Sequence, residues 1–137
     1  MARNIFKGLG VALITPFTSD GNVDYKSLTR LVEYQIDNGA DFLCILATTS
    51  EAPCLSAEEK EKVKQLVIEV NRGRLPLLMG CGGNNTKAIV EELKNSDWRG
   101  IDGVLSVCPY YNKPSQEGLY PAFQGNSRGK SAAGCSL

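Results

Sequence analysis

Leu9-Gly10-Val11-Ala12-Leu13-Ile14, ended by Thr15-Pro16-Phe17, is the stretch that decides the fold. No charged or polar side chain interrupts the run, as in a strand covered on both faces; a half-solvated strand would alternate. Pro16 stops it, and Ser19-Asp20-Gly21-Asn22 supplies turn chemistry. Asp24 then precedes Leu28, Leu31, Val32 and Ile36, whose i, i+3, i+4, i+8 spacing predicts a capped helix closed by Gly39.

The same strand-then-helix unit recurs three times. Phe42 to Leu46 leads into Ala47-Thr48-Thr49-Ser50-Glu51, and Ser56 with Glu59 forms a capping box before Val63, Leu66, Val67 and Val70. Leu75 to Met79 is followed by Gly80-Cys81-Gly82-Gly83-Asn84-Asn85, with Thr86 as the expected cap of a helix carrying Ile89, Val90 and Leu93. Gly103 to Val107 leads into Pro109-Tyr110-Tyr111-Asn112-Lys113-Pro114, and Ser115 is expected to cap a last helix through Leu119 and Tyr120. Gly39-Ala40-Asp41 and Gly100-Ile101-Asp102 stand at matching helix-to-strand junctions, a weak internal repeat. Four such units predict an α/β chain: a parallel sheet with helices packed outside it. Residues 1–123 form this unit, whereas 124–137 lack a hydrophobic period, are rich in Gly, Ser and Ala, and read as an irregular, flexible tail.

Composition narrows the chemistry. The 137 residues carry fifteen basic and fifteen acidic side chains, so no global field points to nucleic acid or to a membrane surface. No apolar run approaches the roughly 20 residues that cross a bilayer, and the first residues lack a secretory pattern. A cytoplasmic location is the expectation. The chain has no histidine, which excludes Ser-His-Asp and Cys-His catalysis and leaves no metal site in view. Its five cysteines form no C-x-x-C, and Cys44, Cys81 and Cys108, in or beside apolar runs, are expected as buried free thiols. The Gly80–Asn85 loop is no dinucleotide fingerprint, since Asn85 stands where the third glycine belongs, and no P-loop is present.

In parallel α/β folds the reacting groups gather at the carboxyl ends of the strands. There the second loop offers two hydroxyls and a run of N–H groups suited to a carboxylate, and the fourth offers two phenols able to relay a proton.

Gly10 to Phe17, the Thr48-Thr49 loop and Tyr110-Tyr111-Asn112-Lys113-Pro114 together resemble the amino-terminal half of the dihydrodipicolinate synthase family, over roughly residues 5 to 123. The resemblance implies the first four βα units of a (β/α)8 TIM barrel, a truncated half-barrel, and hence a coding sequence cut or shifted in frame near residue 123. It implies condensation of pyruvate with aspartate semialdehyde in lysine biosynthesis, through a Schiff-base lysine and without a cofactor. Thr48 matches the relay threonine, Thr49 the neighbouring carboxylate-binding position, and Tyr111 the tyrosine that reaches into the adjacent subunit's site. Asn84 and Tyr110 match effector-site positions, and Ala88 falls where some members carry an acid.

The family's second relay tyrosine, substrate arginine and Schiff-base lysine match nothing in this stretch, so the chain alone is expected to be inactive. Alternatives are another pyruvate-dependent lyase, such as N-acetylneuraminate lyase, or a non-catalytic homologue acting as an interaction protein. Ala47, Ser50 and Ala52 replace a Gly, a Gly and a Ser of the family's loop. Each lost glycine is expected to remove backbone freedom or room for close ligand approach, at a cost of order 1 kcal/mol or more. Open strand edges make self-association of half-barrels an expected partner interaction. Lys26, Lys60, Lys62, Lys64, Lys87 and Lys94 are expected on solvated helix faces.

Overall fold

The computed structural model describes residues 5–111, 113–115, 117–119 and 124. The expected tail beyond Gln124, with Lys130 and Cys135, lies outside these residues, as do Asn112, Tyr120 and the boundary at 123. Four strands, β1 (Gly10–Ala12), β2 (Phe42–Ile45), β3 (Leu77–Gly80) and β4 (Gly103–Leu105), form one sheet in the order β1-β2-β3-β4. All three pairings are parallel. Helices α1 (Tyr25–Asp37), α2 (Ala57–Asn71) and α3 (Thr86–Asn95) make the crossovers. Residues 117–119 are helical, and the Gly118 N–H donates to the Ser115 hydroxyl at 3.2 Å.

Register sorts the side chains. Val11 pairs with Leu43 and Leu43 with Leu77, while Ile45 pairs with Met79 and Met79 with Val104. In a pleated sheet these residues share one face. Leu43, Ile45, Leu77 and Met79 pack in one core with Leu28 and Val32 of α1 and Val63 and Val67 of α2. Val104 joins Ile89 and Leu93 of α3 in a smaller cluster. The opposite face is small-residued: Gly10, Ala12, Gly80 and Gly103 lie on it beside Phe42, Cys44 and Leu78. At its amino-terminal end the rings of Phe6 and Phe42 meet edge-to-face, centroids 5.4 Å apart. A Cβ on Gly103 would lie 2.6 Å from the Phe6 ring, and one on Gly10 2.1 Å from the Phe42 ring. Both glycines are required by close approach rather than by backbone conformation.

The Gly-x-Asp repeat has a physical basis. Asp41 donates its N–H to the Leu9 carbonyl (2.8 Å) and accepts the Leu9 N–H on its carboxylate (2.7 Å). Asp102 does the same to Leu77, at 2.9 and 2.8 Å. Each aspartate thus fixes the start of the neighbouring strand, after a glycine in the left-handed region (Gly39 φ 89°, Gly100 φ 80°).

Helix starts follow the sequence with one correction. Asp24 accepts the Ser27 N–H, and Ser56 with Glu59 forms a complete capping box. For α3 the cap is Asn85, whose side chain accepts from the Ala88 N–H, and not Thr86. Asn outranks Thr at this position, and Thr86 becomes the first helical residue.

Two burial expectations are also corrected. Cys44 and Cys81 are buried, and burial pushes the Cys44 thiol up, but Cys108 is exposed on the loop after β4. That strand ends at Leu105, so Cys108 no longer shares its covered backbone. Lys64 is not solvated: its side chain is 2% exposed, pairs with Glu61 at 2.7 Å and donates to the Asp97 carbonyl at 2.9 Å. The connection from α3 to β4 lies across this side of α2, and Gly100 comes close against Ile68 there. A stripe counted from one face of α2 misses a second covered side.

The caps also set the response to acid. The hydroxyl and N–H of Ser27 hold the Asp24 carboxyl below its ordinary 3.8. The N–H and hydroxyl of Ser56 do the same to Glu59 from 4.5, and the Arg99 guanidinium brings Asp97 down to about 2. Each value is lower in the folded chain, so the stabilisation is complete above the unfolded carboxylate range and lost as pH falls through the folded values. The thermal midpoint is expected to stay level from pH 7 to about 5 and to drop below about pH 4.5. A midpoint that rises on acidification in a circular-dichroism series contradicts these caps.

Candidate active site

The loops at the carboxyl ends of the strands are built into one another. Thr48–Ser50 forms one 3-10 turn and Ala52–Cys54 a second. The first is closed by Ser50 N–H to Ala47 carbonyl (3.1 Å) and Glu51 N–H to Thr48 carbonyl (3.0 Å). Two buried hydroxyls tie this turn to the end of β1: Thr15 Oγ1 donates to the Ser50 carbonyl and Ser50 Oγ to the Leu13 carbonyl, both at 2.7 Å. On its other side lies β3. A Cβ on Gly80 would sit 2.4 Å from the Leu46 carbonyl oxygen and 2.7 Å from the Ala47 Cα, so only glycine lets the loop pass so close. Thr48 and Thr49, held from both sides, are themselves exposed.

The backbone cost expected from the lost glycines does not arise at the expected positions. Ala47 has φ −90°, an extended backbone open to any residue, and Ser50 is not among the left-handed residues. The left-handed conformations fall on either side, at Leu46 (φ 51°) and Glu51 (φ 53°). Such non-glycine positions cost of order 1–3 kcal/mol each and persist where the surroundings enforce them.

The loops after β3 and β4 also meet. The Cys81 N–H donates to the Leu105 carbonyl at 3.0 Å, and a Cβ on Gly82 would lie 2.9 Å from the Val107 nitrogen. Asn84 is exposed on the first of these loops and Tyr110 on the second. Tyr111 is 94% exposed with φ 70°, and Lys113 follows with φ 45°. Among the described residues no hydrogen bond joins Thr48 or Thr49 to either tyrosine. The threonines and tyrosines therefore share an end of the sheet without forming a finished relay.

Sequence reasoning placed Thr15 and Gly80 in the loops at this end of the sheet but gave no role to them or to the hydroxyl of Ser50. The position of Thr15, directly after an apolar run and before Pro16, is the signal that could have marked it. No group of three His, Cys, Asp or Glu able to hold a metal occurs among the described residues. Nor is any helix among them long and apolar enough to cross a membrane.

The profile of the Dihydrodipicolinate synthetase family matches residues 5–125. A 4-hydroxy-tetrahydrodipicolinate synthase of Phocaeicola vulgatus is 56% identical over 124 residues, 90% of this chain and 42% of its own length. The chain thus spans less than half of that relative. The crystal structure of dihydrodipicolinate synthase from Thermotoga maritima superposes with a TM-score of 0.89 at 39% identity, over 96% of this chain and 44% of that one. The enzyme from Acinetobacter baumannii, solved in complex with pyruvate, superposes at 0.85 with 41% identity, over 90% of this chain and 43% of that one.

Proposed function

Because the chain belongs to the Dihydrodipicolinate synthetase family, we propose that its four βα units supply the threonine side of a pyruvate-condensing site. The reaction is the joining of pyruvate to aspartate semialdehyde on the way to lysine. Thr49 and the N–H groups of the turn receive the pyruvate carboxylate, and Thr48 passes a proton along the relay. The observation that carries this reading is the turn itself: two exposed hydroxyls on a loop pinned from both sides, at the end of a parallel sheet where substrates enter. Pinning matters because a positioned group acts without first losing conformational freedom.

Tyr111 serves a different site in this reading. A tyrosine 94% exposed in a left-handed backbone is not packed against the described residues, which supports its reaching into a second copy's site. Asn84 and Tyr110, on adjoining exposed loops, are the positions for an effector.

A Schiff-base lysine must be desolvated or set among other cations to be partly neutral near pH 7. Lys7, Lys26, Lys62, Lys87, Lys94 and Lys113 are exposed and Lys60 is half-buried. Lys64 is buried but committed to Glu61 and Asp97 on the outer side of α2. The 137-residue chain incubated with pyruvate and borohydride is therefore expected to give no reduced adduct by mass spectrometry. Pyruvate titrated into the 15N-labelled chain is expected to shift the Thr48 and Thr49 amides. A stoichiometric adduct, for which Lys113 is the first place to look, or shifts confined to other loops, would overturn the reading.

A further inference from the structure

The threonine turn of this chain is tied to the end of β1 by two buried hydroxyls. We propose that Thr15 and Ser50 are positioning residues, a reciprocal pair of hydroxyl-to-carbonyl bonds that presents Thr48 and Thr49 to the ligand. The inference rests on the reading that this turn receives a carboxylate. Both groups are almost fully enclosed, Thr15 at 4% and Ser50 at 2% exposure. The two bonds are antiparallel in sense: β1's Thr15 donates into the turn, and the turn's Ser50 donates back to β1 at Leu13. Each is 2.7 Å long, and they span 35 and 37 residues of sequence.

The bonds internal to the turn, Ser50 to Ala47 and Glu51 to Thr48, shape it but attach it to nothing else. Gly80 limits how far the loop moves towards β3 but attracts nothing. Leu46 and Ala52 anchor the two ends of the segment in the core, and the hydroxyl pair is the polar tie of the turn between them to β1. A glycine at position 50 has no hydroxyl to give Leu13. Serine there trades backbone freedom for a second bond to the scaffold.

The test uses the 15N-labelled 137-residue chain with three substitutions: Thr15→Val, which keeps the shape and removes the hydroxyl, Thr15→Ser, which restores it, and Ser50→Ala. Amide exchange is read at Ser50 and Glu51, and at Leu43 and Leu78 in the sheet. Pyruvate is then titrated against the Thr48 and Thr49 amides. The expected result is exchange at Ser50 and Glu51 at least tenfold faster in Thr15→Val and in Ser50→Ala. Sheet amides remain protected, and pyruvate affinity at Thr48 and Thr49 falls at least fivefold. Thr15→Ser recovers both readings.

The proposal is overturned if exchange at Ser50 and Glu51 does not change, if Thr15→Ser behaves like Thr15→Val, or if sheet protection falls in step with the turn. Should Thr15→Val not fold, the Ser50→Ala and Thr15→Ser chains give the same decision. Wild-type chain without any pyruvate shift at Thr48 and Thr49 would overturn the carboxylate reading, and the exchange comparison would still decide the clamp.

Discussion

Replacing Leu43 by alanine is expected to lower the unfolding free energy by about 2–5 kcal/mol. Leu43 is 0% exposed and stands in register between Val11 on β1 and Leu77 on β3, facing the helices. Its loss combines the transfer of three carbons to water with a cavity that three strands and two helices cannot all collapse into. Domains of this size hold only about 5–15 kcal/mol, so the variant sits near the edge of folding. Urea denaturation followed by far-ultraviolet circular dichroism measures it, with Leu9→Ala as the comparison. Leu9 is 58% exposed, and its truncation is expected to cost under about 0.5 kcal/mol. Equal losses at the two positions would mean that the sheet is not packed as described.

The second large effect separates charge from packing. Lys64→Ala removes a buried stem and leaves the Asp97 carbonyl without its donor, at an expected cost of about 2–4 kcal/mol. Glu61 is 54% exposed and turns to water once its partner is gone, so no buried charge is stranded. Lys64→Met keeps the stem volume and gives up the charge. It is expected to recover most of the loss, because a buried charged side chain is often replaceable by an apolar residue of similar size. Thermal and urea midpoints of the two variants decide the matter: a Met variant as unstable as the Ala variant would place the stabilisation in the ion pair and the Asp97 bond.

The sheet was legible because its signals are local. Apolar runs bounded by Pro16, Gly80 and Gly103, and caps at Asp24 and Ser56, announce themselves within a few residues. The paired Gly-x-Asp junctions are visible as spelling, though their reciprocal bonds to the preceding strand are not. Lys64 was misjudged because helical period describes one buried face, and the α3–β4 connection that covers a second face lies 33 residues away. The same limit applies at the site. Thr48 and Thr49 are marked by resemblance and loop position, whereas the roles of Thr15 and Gly80 depend on contacts between separate βα units. The glycine argument erred for a related reason: strain belongs to the path of the backbone, and that path put its left-handed residues at Leu46 and Glu51.

The ring of Phe6 and the missing side chain of Gly103 occupy one volume between them. Neither position is then free to vary by itself. Any larger residue at 103 must expel an aromatic that belongs to no strand, and any smaller residue at 6 leaves a hole beside β4. Phe42 and Gly10 stand in the same relation on the opposite flank. Bulk added at one member of either pair must therefore be given up by the other. A residue ahead of the first strand thereby shares the packing limits of this face of the sheet.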